Sequence, residues 1–213
     1  MKVFFIFIVF TALFFMLERI FQLDLIISDK IFSWNSFNDN YLLNFLAKLA
    51  PVPTILAAVY CLKKSNISNK FLLFEVILLI SFAPLLIHCI IKPAFNRPRP
   101  SEISQYKEDS KLEYTKAFEP GEEGDSFPSG HSAAAFSLLF LYFTQVFKEY
   151  EKRILLIIPG LLWGFAIGTI RILQGRHFIT DVVASLTVTF ICCFIITHFT
   201  NQLYSKNEYS HTN

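Results

Sequence analysis

Residues 71–91 read FLLFEVILLISFAPLLIHCII, and this stretch decides the class of fold. Its one formally charged side chain, Glu75, follows Lys70 near the start, where a solvated interfacial carboxylate is expected. A helix rises about 1.5 Å per residue, so roughly 20 apolar residues cross the ~30 Å hydrocarbon core of a bilayer. The run stops abruptly at Lys92-Pro93. It reads as a membrane span.

Five more apolar runs lie on either side of it: Val3–Leu17, Leu42–Leu62, Ser132–Phe147, Ile154–Leu173 and Phe178–Phe199. The 213 residues are 54% hydrophobic and 17% charged, with 25 Phe, and the mean hydropathy is +0.47. Soluble domains carry about 25% charged residues, so this apolar excess has nowhere to go in water. The pattern predicts an all-α, polytopic integral membrane protein: about six transmembrane helices in a bundle, with the active site at one membrane face. One domain is expected over residues 1–200, with a polar tail at 201–213. A disordered chain, a secreted disulfide scaffold and an ordinary cytosolic enzyme fit poorly. A net charge of +2 argues against a nucleic-acid partner. Cys61, Cys89, Cys192 and Cys193 all sit in apolar runs without a CxxC, as small core residues do.

The first run follows Met1-Lys2 and ends in Leu17-Glu18-Arg19 with no small-x-small cleavage site, so an uncleaved span is expected. Asn66-Ile67-Ser68 matches a glycosylation sequon, a pattern short enough to arise by chance. Lys63, Lys64 and Lys70 flank one short loop, and Lys148, Lys152 and Arg153 lie in another. The excess of Lys and Arg on that side makes it the cytoplasmic one, together with both termini. The segment from Lys92 to Gly130 and the turn from Gln174 to His177 then share the outer face.

That face gathers the polar chemistry. Lys92, Arg97 and Arg99 close the third run; Ser129, Gly130 and His131 open the fourth; Arg171, Arg176, His177 and Asp181 join the fifth to the sixth. Charge at span ends is costly and usually functional. Arginine offers a planar fork of donors to phosphate oxygens, and lysine offers a point charge. In Phe127-Pro128-Ser129-Gly130-His131-Ser132 a tight turn leads into an apolar helix, whose first N–H groups and Ser129 hydroxyl suit a phosphoryl oxygen. His177 and Asp181, four apart, fall on one helix face, where a carboxylate fixes the imidazole tautomer. His131 is then free to protonate a leaving oxygen.

Lys92-x6-Arg99-Pro100, Pro128-Ser129-Gly130-His131 and Arg171-x5-His177-x3-Asp181 together resemble the three-part signature of the type 2 phosphatidic-acid phosphatase family. Order and intervals match over about 40% of the chain. The resemblance implies an all-helical core, metal-independent phosphoester hydrolysis with no cofactor, and a phosphohistidine intermediate. It gives His177 the role of nucleophile, Asp181 that of its orienting carboxylate and His131 that of general acid. Lys92, Arg99, Ser129, Gly130 and Arg171 become the phosphate clamp. Arg97 and Arg176 lie beside the signature as secondary substrate contacts, or as partners of the acidic loop or of headgroups. His88, one turn before Lys92, lines the pocket or packs its helix. One departure is Ile170, where the family usually has Ser, which removes a hydroxyl donor.

The implied substrate is a lipid phosphate in the bilayer. Residues 171–178 (RILQGRHF) are more similar to the lipid A phosphatase branch than to the polyprenyl diphosphate branch, which often has Tyr-Pro after the nucleophile. Undecaprenyl diphosphate, phosphatidylglycerophosphate and phosphatidic acid are the alternatives, and a phosphotransferase would use the same residues. A lipid transporter would need the cations but not His131, His177 and Asp181 together. A zinc site would lack an HExxH and would face repulsion from the cations.

Overall fold

The computed structural model describes residues 2–33, 40–64 and 70–211. The Asn66-Ile67-Ser68 sequon lies outside the described residues. The helices are α1 (Lys2–Phe21), α2 (Leu23–Ser33), α3 (Tyr41–Lys48), α4 (Val52–Lys64), α5 (Lys70–Leu86), α6 (Lys92–Phe95), α7 (Gly130–Phe136), α8 (Phe140–Phe143), α9 (Ile157–Leu173) and α10 (Ile179–His211). Among the described residues there is no strand, only a single bridge between Ile103 and Leu112. The protein is an all-α, polytopic membrane protein.

Five helical stretches are long and apolar enough to cross a bilayer: Lys2–Phe21, Tyr41–Lys64, Phe71–Glu102, Arg153–Leu173 and Ile179–Leu203. The last is the hub. It is 67% buried over its most apolar window, against 11–28% for the other four. Those four turn outward side chains such as Phe5, Phe10, Leu56, Leu85 and Leu162, a belt that suits a bilayer and not water. Inward, Phe4 stacks on Phe194 and Phe7 on Phe190 at centroid distances of 4.1 and 3.9 Å. These contacts seat α1 against α10.

The fourth apolar run is shorter than a span, at Gly130–Phe143. The Ser137 hydroxyl donates back to Ala133 O at 2.9 Å, a bond that loosens helices, and a 3₁₀ turn over Ser137–Leu139 separates α7 from α8. Thr144 then turns extended and ends the run. Small residues bring α9 close on either side. A Cβ at Gly164 would lie 1.9 Å from the Phe136 ring of α7, and one at Gly168 would lie 2.5 Å from Val182 of α10.

Glu75 departs from expectation. It is fully buried, and its carboxylate accepts from the Thr200 hydroxyl at 3.3 Å and the Gln145 N–H at 3.4 Å. A carboxylate at this depth keeps its polar partners inside the protein, because the bilayer offers none.

Candidate active site

Three chain segments build one polar cluster at the end of the bundle. The first leaves α5 through a π-helical turn, Ile87–Ile91, which carries His88 and delivers Lys92. Asn96, in the left-handed region at φ 43°, stops α6 and donates its backbone N–H to Lys92 O. The chain then runs extended into Arg99, which precedes a 3₁₀ turn over Pro100–Glu102. The second segment is the turn into α7, where Ser129 is the N-cap and its oxygen accepts from Ser132. Gly130 faces His88, since a Cβ there would sit 3.1 Å from His88 Nε2. The third is the turn between α9 and α10, with Gly175 at φ 62°. These segments are tied by backbone bonds: Ser101 N–H to Gly175 O at 2.9 Å, and Ser129 N–H to Asp181 O at 3.1 Å.

His177 is buried in the turn before α10, while Asp181 is in the helix's first turn. The expected helical pair is thus a turn-to-helix pair. The cause is a cap: Asp181 Oδ2 accepts the Phe178 N–H at 2.8 Å. His177 Nδ1 still comes within 3.5 Å of Asp181 Oδ2. Asp181 also accepts from the Ser126 hydroxyl and from Arg97 Nη1, the latter at 2.7 Å. Burial pushes the His177 imidazole down to about 4, although Asp181 pulls the other way. The ring is therefore neutral at pH 7.

The cations converge on the same place. Lys92, Arg171, His177 and His88 all lie close enough to His131 to act on it electrostatically. Arg171, at the last turn of α9, donates Nη1 to Gln174 Oε1 at 2.8 Å, and Gln174 is held in turn by Asn44 Oδ1 at 2.8 Å. Asp125 bridges the first segment: Oδ1 is 2.5 Å from Arg99 Nη2 and Oδ2 is 3.8 Å from Lys92 Nζ. Lys92 also donates to the Asp125 backbone carbonyl. Burial would raise the Asp125 carboxyl, but Lys92 and Arg99 hold it below its ordinary value. Arg99 Nε, Arg171 Nε and His177 Nδ1 are buried with no hydrogen-bond partner. Buried donors are rarely left so in a folded protein.

Arg97 is not in this group. It is fully buried, with Nη2 on Asp24 Oδ2 at 2.7 Å and Nη1 on Asp181 Oδ1 at 2.7 Å. Its guanidinium is committed to protein carboxylates and does not face a substrate. Arg176 stays partly buried beside Arg171. Ile170 packs with Ile167 and Ala135. The sequence patterns do not single out Ser126, Asp125 or Asp24, which join the site through Asp181, Arg99 and Arg97 respectively. Their signal was position: each adjoins a span end or a motif. Among the described residues no group of three His, Cys, Asp or Glu is placed to hold a metal ion.

The family described as PAP2 superfamily matches residues 72–205, well over half of the chain. Similar curated proteins include the Lipid A 4'-phosphatase of Francisella tularensis subsp. novicida (strain U112), 26% identical over 132 residues. That match takes in 59% of this chain and 54% of the relative, so the chain spans about half the length of the curated relative. No solved structure gives a significant match.

Proposed function

The chain belongs to the PAP2 superfamily, and from that premise we propose that it is a membrane-embedded lipid phosphate phosphatase working through a phosphohistidine. The observation that supports this best is the pair of buried guanidinium nitrogens without a hydrogen-bond partner, Arg99 Nε and Arg171 Nε, with Arg171 close enough to His177 to act on its charge. A phosphoryl group suits such donors in charge and in geometry. Lys92 adds a third cation.

In the first displacement His177 Nε2 attacks phosphorus in line, and the bond from phosphorus to the lipid oxygen breaks. The negative charge of the entering phosphate raises the His131 imidazole from about 4, and the charged ring gives its proton to that oxygen. Asp181, close to Nδ1, holds the ring and supports the positive charge that develops on it. In the second displacement a water oxygen attacks phosphorus while His131 takes its proton. The N–P bond breaks, inorganic phosphate leaves and His177 is neutral again. No metal ion has a step in this scheme. The substrate we favour is lipid A or a similar phosphorylated glycolipid, the reading that the Francisella relative supports. The site would face the periplasm, with both termini in the cytoplasm and the bundle in the inner membrane.

The test is phosphate release by purified protein in detergent with excess EDTA. Lipid A, phosphatidylglycerophosphate, phosphatidic acid and undecaprenyl diphosphate form the panel. Release from lipid A that resists EDTA is expected. Release from none of the four, or only without EDTA, would overturn the reading. The acid limb of kcat/KM that reports His177 should lie near pH 4 and not near 6.5.

Asp125 gives a further expectation. Its half-exposed carboxylate sits where phosphate oxygens would go, on Arg99 and near Lys92. A substrate phosphate must displace it. Exposed ion pairs are worth up to about 1 kcal/mol, roughly fivefold in binding. Asp125→Asn should therefore lower the Ki of inorganic phosphate about threefold to tenfold and leave kcat within about twofold. A Ki that rises would show that Asp125 organises the clamp and does not compete for it.

A further inference from the structure

Asp24 lies in the first turn of α2, on a segment outside the residues that match the family. Gln22, in the left-handed region at φ 51°, turns the chain back after α1 and aims Asp24 at the start of α10. Asp24 is fully buried. Its Oδ1 accepts the Thr180 N–H at 3.0 Å, and its Oδ2 accepts the Thr180 hydroxyl at 2.6 Å and Arg97 Nη2 at 2.7 Å. Arg97 is held further by Thr115 O at 2.8 Å and lies 4.1 Å over the Phe178 ring. Thus one carboxylate from the N-terminal segment grips the residues on both sides of the His177–Asp181 contact.

The charges are uneven in a useful way. Arg97 meets two carboxylates, Asp24 and Asp181, both with no exposed side-chain surface. A buried cation must be compensated, and one carboxylate is enough to do it. Asp24 supplies that compensation and leaves the charge of Asp181 available to His177 Nδ1. Without Asp24, Arg97 would draw on Asp181 alone.

We propose that Asp24 is a positioning residue of the active site: through Arg97 and Thr180 it fixes Asp181 and preserves its charge for His177. This rests on the reading of His177 as the nucleophile. The groups that face His177 are Asp181, Lys92 and Arg171, with Asp125 and His131 also within reach. Those that face Asp24 are Arg97, Asp181, Glu18 and Tyr114. Among the described residues, Arg97 is the side chain that bonds directly to both Asp24 and Asp181.

The experiment compares the full-length wild type with Asp24→Asn, Asp24→Glu and His177→Ala in phosphate release from the panel lipid that turns over. For Asp24→Asn, kcat should fall about 10- to 100-fold with KM within about threefold. The acid limb of kcat/KM should also move to lower pH, because an uncompensated Arg97 disfavours a charged imidazole. A wild-type kcat overturns the proposal. So does a reduced kcat with an unmoved acid limb, which is what loss of folded protein alone would give. Where Asp24→Asn does not insert, Asp24→Glu decides. It keeps the charge and displaces it by one methylene, so kcat should drop more than about threefold, and a wild-type value overturns the proposal. Full activity of His177→Ala would instead overturn the nucleophile reading itself, whatever the Asp24 variants do.

Discussion

His177→Ala should abolish phosphate release, with a loss of about 10³-fold or more in kcat for every lipid tested. A phosphohistidine route has no bypass when the attacking nitrogen is gone. The clamp would still bind, so KM or the Ki of inorganic phosphate should change far less than kcat. The fold should survive, because Asp181 keeps its bonds to Arg97, Ser126 and the Phe178 N–H without the imidazole. The measurement is turnover in detergent together with acid-labile phosphate retained on the protein after rapid quenching. Wild type should carry the label and the variant none. Turnover in the variant above about one hundredth of wild type would end the nucleophile assignment.

The sequence made the spans and the three motifs legible for the same reason. Long apolar runs have one use, and charges at their ends have few. Lys92, Arg99, Arg171, His131 and His177 are therefore readable as a group from the sequence alone. Arg97 is not, because its neighbour Arg99 has the same chemistry and only burial separates them. Asp24 was hidden by distance: its partners Arg97 and Thr180 lie 73 and 156 residues away. Glu75 looked interfacial beside Lys70, yet the acceptor sites it offers are filled by Gln145 and Thr200 from segments far along the chain. Long-range polar pairing leaves no local pattern. Gly160, Gly164 and Gly168, by contrast, are spaced four apart within one apolar run, a spacing that marks close helix approach in membranes.

That glycine row leads to the second large effect. Gly164→Ala should destabilise the protein by a net ~2 kcal/mol or more, even though alanine favours a helix by about 1 kcal/mol over glycine. The added Cβ would meet Phe136 Cδ1 at 1.9 Å and Cε1 at 2.1 Å, far inside van der Waals contact. Phe136 cannot simply swing away. It is fully buried in the main core cluster, with its ring edge-on to Phe165 at a centroid distance of 5.3 Å. Either the ring leaves its place or α7 and α9 separate, and both moves reach the site. α7 begins at Gly130-His131, and α9 carries Arg171 in its last turn. Separation would therefore pull His131, the proposed general acid, away from Arg171, and activity should fall further than the loss of folded protein explains. Phe136→Leu in the Gly164→Ala background frees the space the methyl needs and should recover part of both losses. The coupling between the two substitutions should exceed about 1 kcal/mol in detergent-phase unfolding. Additive effects, or a Gly164→Ala protein as stable as wild type, would mean that α7 and α9 are not held together by this contact.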